Sequence, residues 1–265
     1  VLNGHEHSYQ RSVPIRQGEQ AHEHVGTVYI TTGGGGASLY DVYPNPLLAG
    51  SGKFHHYMRL DVDGVRIRTT AVGRDGAELD RAEVVRLPAI SPAGMANAVA
   101  GVNGVCPGGL VSVFGKHLGA RASSAAAEVL PVELAGTRLL VNGEAAPLLF
   151  VSPAQVNAQL PFGLSGRVQL RLETEIGAAE FEASLAEAAP GILAVVRPDG
   201  SLVTEDAPAR AGEQLVVLAA GLGPVEGAVR AGQPLAAGQK VALYSALMVD
   251  LSGESLTPSY AGLAP

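Results

Sequence analysis

The sequence has no tryptophan, one cysteine and few charged residues. Of its 265 residues, 5% are aromatic and 16% are charged, whereas charged residues usually make up about a quarter of a globular protein. Without large aromatic side chains, the cores have to be built from valine, leucine, alanine and isoleucine. The single Cys106 excludes a framework of disulfides within the chain.

Positive charge and long apolar runs are also scarce. The formal net charge is −7, and the lysines and arginines form no cluster that would match a phosphate backbone. No apolar stretch reaches the roughly 18 residues that a membrane-spanning helix needs. We therefore expect neither a nucleic-acid partner nor a transmembrane segment.

The residues that are abundant favour a mainly β fold. Glycine (34 residues) and proline (17 residues) supply turns, and alternating runs of valine and leucine outnumber faces with helical periodicity. Residues 57–62 and 65–72 are predicted to form a hairpin around Asp63-Gly64, a favoured two-residue turn. Residues 26–32 are predicted to form a central strand.

The distribution of histidine and proline predicts a domain boundary. Six of the seven histidines lie in the first 56 residues. Leu87 is followed by Pro88, Pro92 and several small residues. Such a composition is typical of an exposed linker. We expect a first domain over residues 1–88, a linker over residues 89–94, and two β units over residues 95–188 and 189–265.

An internal repeat divides the second part of the chain. Residues 110–119 match residues 215–223, and their Leu-Gly endings align at an offset of 104. The Gly-Glu pair at residues 143–144 aligns with the pair at residues 253–254 at an offset of 110. The repeat predicts two tandem β-sandwich units. Because the second copy stops before its counterpart does, we expect this last unit to be truncated.

The first eleven residues carry the strongest chemical signal. An apolar pair and an Asn-Gly turn precede His5 and His7, an order that predicts two imidazoles at the rim of a sheet. Neutral imidazole is the commonest metal ligand. Two histidines at i and i+2 can reach one metal, or two neighbouring metals, if the backbone turns between them.

Residues 4–11, which read Gly-His-Glu-His-Ser-Tyr-Gln-Arg, resemble the last motif of calcineurin-like metallophosphoesterases in the purple acid phosphatase branch. The likeness continues through residues 26–36 and residues 54–64, and it covers about the first 88 residues. This resemblance implies the C-terminal part of an α/β metallophosphoesterase sandwich.

The same resemblance implies a hydrolase with two metal ions (Fe, Zn or Mn) that cleaves a phosphate monoester of a small molecule. His5 and His7 would bind one metal each. Arg11 would bind the substrate phosphate with its guanidinium fork. Alternatively, Arg11 makes a structural ion pair while Tyr9 packs under the loop.

The other ligand motifs of that family are missing from this sequence. It contains no Asp-x-His, no Gly-Asp pair and no Asn-His pair, so the carboxylate that would bridge two metals is absent. Because Val1 is not an initiator methionine, we expect the chain to be a fragment of a longer enzyme and inactive by itself.

A second resemblance covers residues 93–265. Residues 143–157, with residues 134–137 and 219–224, are similar to an uncharacterised C-terminal domain of exported soil-bacterial proteins, and each half resembles an IPT/TIG immunoglobulin-like fold. The resemblance implies no chemistry. Because such domains occur in exported proteins, it suggests a surface or adhesion role and a secreted, periplasmic or cell-surface location.

Four further features have structural interpretations. The glycines at residues 33–36 lack the Gly-Lys-Ser/Thr of a phosphate-binding loop, so we expect a strand-end turn. The His-Glu-His run at residues 22–24 predicts a solvated loop. The histidines at residues 55–56 precede a strand, and the family resemblance favours a structural place for them over a ligand role. Cys106 is expected to pack in a turn.

The sequence thus supports two hypotheses about function. In the first, the chain is the C-terminal part of an exported two-metal phosphoesterase followed by two accessory immunoglobulin-like units. In the second, it is a module that contacts a cell surface or a polysaccharide, and its first segment is a degenerate phosphoesterase.

Overall fold

The computed structural model describes residues 1–22, 25–99 and 101–263, and its regular elements are β-strands. The mainly β fold class predicted from the sequence is therefore confirmed. By contacts, the chain divides into two compact units, Val1–Leu87 and Pro88–Pro265. In the described ranges, no helix is long and apolar enough to cross a membrane.

The first unit contains a four-stranded sheet, a three-stranded sheet and a small hairpin. Its strands are β1 (Leu2–Asn3), β2 (Tyr9–Ser12), β3 (Ile15–Arg16), β4 (Glu19–Gln20), β5 (Ile30–Thr32), β6 (Leu48–Gly52), β7 (His56–Asp63), β8 (Arg66–Gly73) and β9 (Glu78–Val85). The four-stranded sheet has the order β1-β5-β2-β6, and the three-stranded sheet has the order β7-β8-β9. β5 is central, with β1 parallel and β2 antiparallel to it.

The predicted hairpin and central strand are both present, with shifted limits. β7 and β8 pair antiparallel up to Asp63 opposite Arg66. The turn is therefore Gly64-Val65 and not Asp63-Gly64, because Asp63 still belongs to the ladder. β5 is shorter than the predicted strand, since only Ile30, Thr31 and Thr32 pair with β2, and only the first two of them also pair with β1.

A small core connects the two larger sheets of the first unit. Its buried members are Tyr9 and Ile30 from one sheet and Ala71 from the other. The partly buried residues Val28, Phe54 and Met58 pack against them. The rings of Tyr9 and Phe54 stack with centroids 5.6 Å apart, so one of the few aromatic pairs of the chain lies in this core.

The second unit begins with an immunoglobulin-like sandwich of two sheets. Its strands are β10 (Ala89–Asn97), β11 (Leu110–Lys116), β12 (Ser123–Ser124), β13 (Arg138–Val141), β14 (Glu144–Ala146), β15 (Leu148–Val151), β16 (Gln155–Gln159), β17 (Arg167–Thr174) and β18 (Gly177–Ser184). One sheet has the order β10-β11-β16-β15-β12, and the other has the order β14-β13-β17-β18. The neighbouring strands within each sheet are antiparallel.

Alternating side chains of these two sheets form the main core of the second unit. Along β17, Val168, Leu170 and Leu172 are at most 1% exposed, while the residues between them face solvent. Side chains from both sheets belong to one buried cluster, which is built almost entirely from valine, leucine and alanine. This is the composition that a chain without tryptophan requires.

The remainder of the second unit repeats parts of this sandwich in two-stranded sheets. Its strands are β19 (Gly191–Val196), β20 (Val216–Ala220), β21 (Val241–Ala242), β22 (Val249–Leu251), β23 (Glu254–Leu256) and β24 (Gly262–Leu263). The pairs are β19 with β20, β21 with β24 and β22 with β23.

The internal repeat is visible in two matching hairpins. The β13–β14 hairpin turns at Asn142-Gly143, with φ angles of +49° and +86°. The β22–β23 hairpin turns at Ser252-Gly253, with φ angles of +55° and +90°. Positive φ at both central residues is typical of the type I′ turn, whose twist matches that of the strands. The aligned Gly-Glu pairs of the repeat therefore follow the same kind of turn in both copies.

Residues 89–94 differ from the linker that the sequence predicted, because they belong to β10. β10 pairs with β11 on both sides of a bulge that lies between Ile90 and Met95. Pro92 falls inside this bulge, where its missing N–H removes no ladder hydrogen bond. The small residues therefore serve an irregular strand.

Replacement of Leu170 by alanine should destabilise the sandwich of the second unit. The side chain is 1% exposed, so truncation leaves a cavity in the core, and we expect a loss of about 2–5 kcal/mol. The check is urea unfolding followed by far-UV circular dichroism. Leu202→Ala is the control, since Leu202 is 57% exposed. Equal losses in the two variants would contradict the proposed core.

Candidate functional site

The histidine loop, residues 4–8, connects β1 to β2 at one end of the four-stranded sheet. β1 and β2 flank β5 on its two edges, parallel and antiparallel respectively, so the loop passes the end at which β5 finishes. The glycines of residues 33–36 directly follow β5. The fold therefore places the His-x-His signal and the glycine run beside each other.

His5 has an unusual backbone conformation. Its φ is +80°, and it is exposed. Residues other than glycine rarely adopt positive φ, and such a conformation costs on the order of 1–3 kcal/mol. It turns the backbone between the two histidines, which is the condition under which both imidazoles can reach a shared site.

The ring of His7 is held in a defined orientation. Its Nδ1 lies 2.9 Å from the carbonyl oxygen of Ser38. A carbonyl only accepts hydrogen bonds, so Nδ1 carries a proton, and in the neutral ring Nε2 therefore keeps its lone pair. The ring also stacks on Tyr40, with centroids 4.5 Å apart and planes 18° apart, and the Tyr40 amide donates to the His7 carbonyl at 2.9 Å. A backbone carbonyl that fixes one nitrogen is the usual support for a metal-binding imidazole.

Two glycines allow the turn after β5 to pack tightly against its neighbours, Gly33 against the histidine loop and Gly34 against His56. A Cβ on Gly33 would lie 2.0 Å from the Glu6 carbonyl oxygen, and the Gly33 amide donates to Ser8 at 3.2 Å. A Cβ on Gly34 would lie 2.3 Å from Nδ1 of His56. The glycine run is thus a strand-end turn that needs close approach, as the sequence predicted.

The neighbouring histidines at positions 55 and 56 have different surroundings. His56 is 6% exposed; its Nδ1 faces the Phe54 carbonyl at 3.1 Å, and its Nε2 lies 3.0 Å from the Thr32 hydroxyl. Both of its ring nitrogens are therefore occupied, and it has a structural place. His55 is partly buried, and its Nδ1 lies 3.2 Å from the Gly34 carbonyl.

Arg11 is held in an ion pair with Asp80. Its Nε donates to Asp80 Oδ2 at 2.7 Å, and its Nη2 donates to Oδ1 at 3.0 Å. The Tyr9 hydroxyl donates to the same Oδ2 at 2.7 Å. The side chains of Arg11 and Asp80 are 17% and 20% exposed. This fork joins β2 of one sheet to β9 of the other, and it is the arrangement that the structural alternative for Arg11 described.

The pKa values in this cluster follow from its burial and its hydrogen bonds. Burial, with the hydrogen bond to Asp80, raises the pKa of Tyr9 well above its ordinary value. Burial also disfavours the charged form of Asp80. The hydrogen bonds from Arg11 and Tyr9 outweigh that effect, so the pKa of Asp80 is lowered. The hydrogen bond to Asp80 raises the pKa of Arg11. The pair is ionised over the whole neutral range.

Analysis of the sequence missed Ser38, Tyr40 and Asp80. Ser38 lies 31 positions from His7, and Asp80 lies 69 positions from Arg11. None of the three belongs to a recognisable motif. The segment between β5 and β6 brings Ser38 and Tyr40 to the histidine loop, and the contact between the two larger sheets brings Asp80 to β2.

The histidines supply only part of the implied metal centre. Among residues 1–22, 25–99 and 101–263, no three His, Cys, Asp or Glu side chains come together as a group that could hold a metal. The imidazoles of His5 and His7 fit the nitrogen donors of such a centre, but no carboxylate joins them in these ranges. Of the His-Glu-His run, Glu23 and His24 lie outside the described residues.

An open cavity of about 540 Å³ lies next to the glycine turn. Residues of the turn at 34–36, His55 and Arg74 are among those that line it.

In the second unit, Cys106 is 1% exposed, and burial raises the pKa of its thiol. Its buried thiol agrees with the predicted turn-packing role.

Comparison with known proteins gives no family for this chain. No protein-family model and no curated protein matches it. Among solved structures, it matches SGBP-B of the Bacteroides ovatus mixed-linkage glucan utilization locus, in complex with a mixed-linkage heptasaccharide, at 13% identity and a TM-score of 0.23. The match covers 75% of this chain and 52% of that chain, so this chain spans about half of its length. A TM-score this low supports no inference about fold or function.

Replacement of Asp80 by asparagine should destabilise the first unit, because it leaves the guanidinium of Arg11 without its counter-charge. We expect a loss of about 1–3 kcal/mol at neutral pH. The lowered pKa of Asp80 means that its contribution is complete above the unfolded-state pKa of about 3.9 and disappears as the pH falls through the lower folded-state pKa.

The measurement is urea unfolding of the wild type and the variant between neutral and acidic pH. Their difference should shrink in acid. Asp41→Asn is the matched control, since Asp41 pairs with Lys53 at an exposed position and should matter little. A constant difference across the pH range would contradict the role of the Asp80 charge.

Proposed function

We propose that the first unit contributes His5 and His7 to a two-metal centre that hydrolyses phosphate monoesters. Each histidine binds one of two ions (Fe, Zn or Mn). The carboxylate ligands come from polypeptide outside these 265 residues. When bound, the metal pair supplies an activated hydroxide and charge neutralisation of the phosphate.

The observation that carries this proposal is the fixed tautomer of His7. The Ser38 carbonyl holds the proton on Nδ1, and the Tyr40 ring fixes the plane of the imidazole. The lone pair of Nε2 thereby points in a fixed direction, which lowers the entropic cost of binding a metal. A solvated loop histidine needs neither contact.

The backbone around the loop supports the same role. The positive φ of His5 turns the chain between the two imidazoles, and the absence of a side chain at Gly33 lets the turn after β5 pack against the loop. Strained backbone that persists at the rim of a sheet is typical of functional loops.

In this proposal Arg11 positions the loop and does not bind the phosphate. Its Nε and Nη2 donate to Asp80, and this ion pair holds β2, which begins directly after the histidine loop, against β9. The phosphate-binding role remains a prediction from family resemblance. The immunoglobulin-like units are accessory, and the protein acts outside the cytoplasm, in the periplasm, in the medium or on the cell surface.

A metal titration of the chain tests the first step. Addition of Zn²⁺ should shift the Nε2 resonance of His7 in ¹⁵N-correlated NMR spectra, and His7→Ala should abolish binding. Because two imidazoles without a carboxylate make a weak site, saturation should need far more metal than a complete site does. His117→Ala, in the second unit, is the control. Zinc that leaves the ring of His7 unperturbed would contradict the ligand role.

A phosphate-release assay tests the function. In a polypeptide that also carries the carboxylate ligands, His5→Ala and His7→Ala should each lower the rate with p-nitrophenyl phosphate by on the order of 100-fold or more, because even the loss of a residue supporting a ligand costs 10–100-fold. Unchanged rates would show that neither His5 nor His7 is a metal ligand. The chain would then be better described as a module that contacts a cell surface or polysaccharide.

A further inference from the structure

The β19–β20 ribbon leaves a strongly apolar strand uncovered. Leu215, Val216, Val217 and Leu218 are 36%, 44%, 40% and 47% exposed. In the described part of the chain, β20 has β19 on one edge and no strand on the other. Residues 214–220 carry no charge and no proline, the two devices with which proteins usually protect a free edge.

The first sandwich contains the counterpart of this strand with both edges covered. β11 lies between β10 and β16. Its inward-facing residues, Val111 and Val113, are fully buried. Both strands have the apolar side chains of a central strand. They differ in the number of neighbouring strands, which is two for β11 and one for β20.

The sequence repeat and the order of the strands indicate that β11 and β20 are equivalent, since each pairs antiparallel with the strand before it. The sequence repeat, at its offset of 104, aligns Ser112 with Val216. In the structure, Ser112 lies opposite Ala96 of β10, and Val216 lies opposite Val196 of β19. β19 thus takes the place of β10, and the free edge of β20 corresponds to the edge of β11 that β16 occupies.

The first sandwich also shows what kind of strand fits this edge. β16 reads Gln-Val-Asn-Ala-Gln and pairs antiparallel with β11, with Val156 opposite Val113 and Ala158 opposite Val111. Small apolar residues alternate with uncharged polar ones. By the repeat, these apolar positions would face Val217 and Leu215.

We propose that the free edge of β20 binds an extended segment with the pattern of β16, in antiparallel register, as an added strand. The backbone groups of the edge supply the hydrogen bonds, and the exposed apolar residues of β20 supply the side-chain contacts. The valine of the bound segment lies opposite Val217. This binding surface is independent of the histidine loop and its proposed chemistry.

The test uses a fluorescent synthetic peptide with the sequence of residues 153–161, which includes β16, and the whole chain. Fluorescence anisotropy should show saturable binding, and hydrogen–deuterium exchange should slow at residues 216–220. Val217→Lys should weaken binding by about tenfold or more, since a charge on the contact face has to be desolvated. Leu193→Lys is the matched control, because Leu193 is 55% exposed on β19, away from the free edge.

A second variant lies in the peptide and does not depend on protein folding. Lysine in place of the valine that corresponds to Val156 should abolish binding. Equal binding of this peptide, or exchange at residues 216–220 that the peptide does not slow, would overturn the proposal. Protection of β20 that grows with protein concentration without peptide would also overturn it, in favour of pairing between two copies.

Discussion

A β-strand of apolar residues is shielded from water only when both of its edges and its inward face are covered, and this requirement explains most of the structure. Strands β5, β8, β11 and β17 each have two neighbours. Side chains from these strands form the buried clusters of both units. Because the chain has no tryptophan and few other aromatics, its cores depend on many small side chains in correct alternation. The loss of one neighbouring strand therefore exposes a whole row of them, as in β20.

The histidine loop depends on the same kind of support at a smaller scale. It lies at the end of a central strand, and its geometry is set by contacts from three later segments of the chain. Ser38 and Tyr40 fix the ring of His7, Gly33 gives the backbone room, and Asp80 holds Arg11 in β2. The two charge-assisted hydrogen bonds between Arg11 and Asp80 lower the cost of partly burying both charges. The loop is thus positioned by tertiary contacts and not by its own sequence.

The features that the sequence could predict are those with a local cause. The two type I′ turns follow from Asn-Gly and Ser-Gly pairs, and the alternation of valine and leucine predicts the sandwich strands. The predicted position of the β7–β8 turn was wrong by one residue, because Asp63-Gly64 and Gly64-Val65 both contain the glycine that a two-residue turn favours. Prolines near residue 90 indicated a linker, since a bulged strand that tolerates Pro92 has the same composition.

The features that it could not predict depend on distant pairing. Nothing in the sequence around Asp80 distinguishes it from the other acidic residues of the first unit. Its role arises because β9, which pairs with β8, lies close to β2. There the Asp80 carboxylate accepts hydrogen bonds from both Arg11 and Tyr9. The resemblance at residues 4–11 identified the histidines as candidates, but it left Arg11 with two possible roles. The structural role is supported by an ion pair that links residues 69 positions apart in the sequence.

The two proposed binding places, the histidine loop and the free edge of β20, are also places where the backbone is strained or apolar side chains are exposed. His5 adopts a positive φ with little to hold it, and β20 exposes apolar residues that its counterpart buries. Such costs are tolerated where binding recovers them, either through a metal at the loop or through a strand at the edge. The Asp80 ion pair and the core around Leu170 provide the stability that allows both. Binding capacity and stability are thus assigned to different residues of the chain.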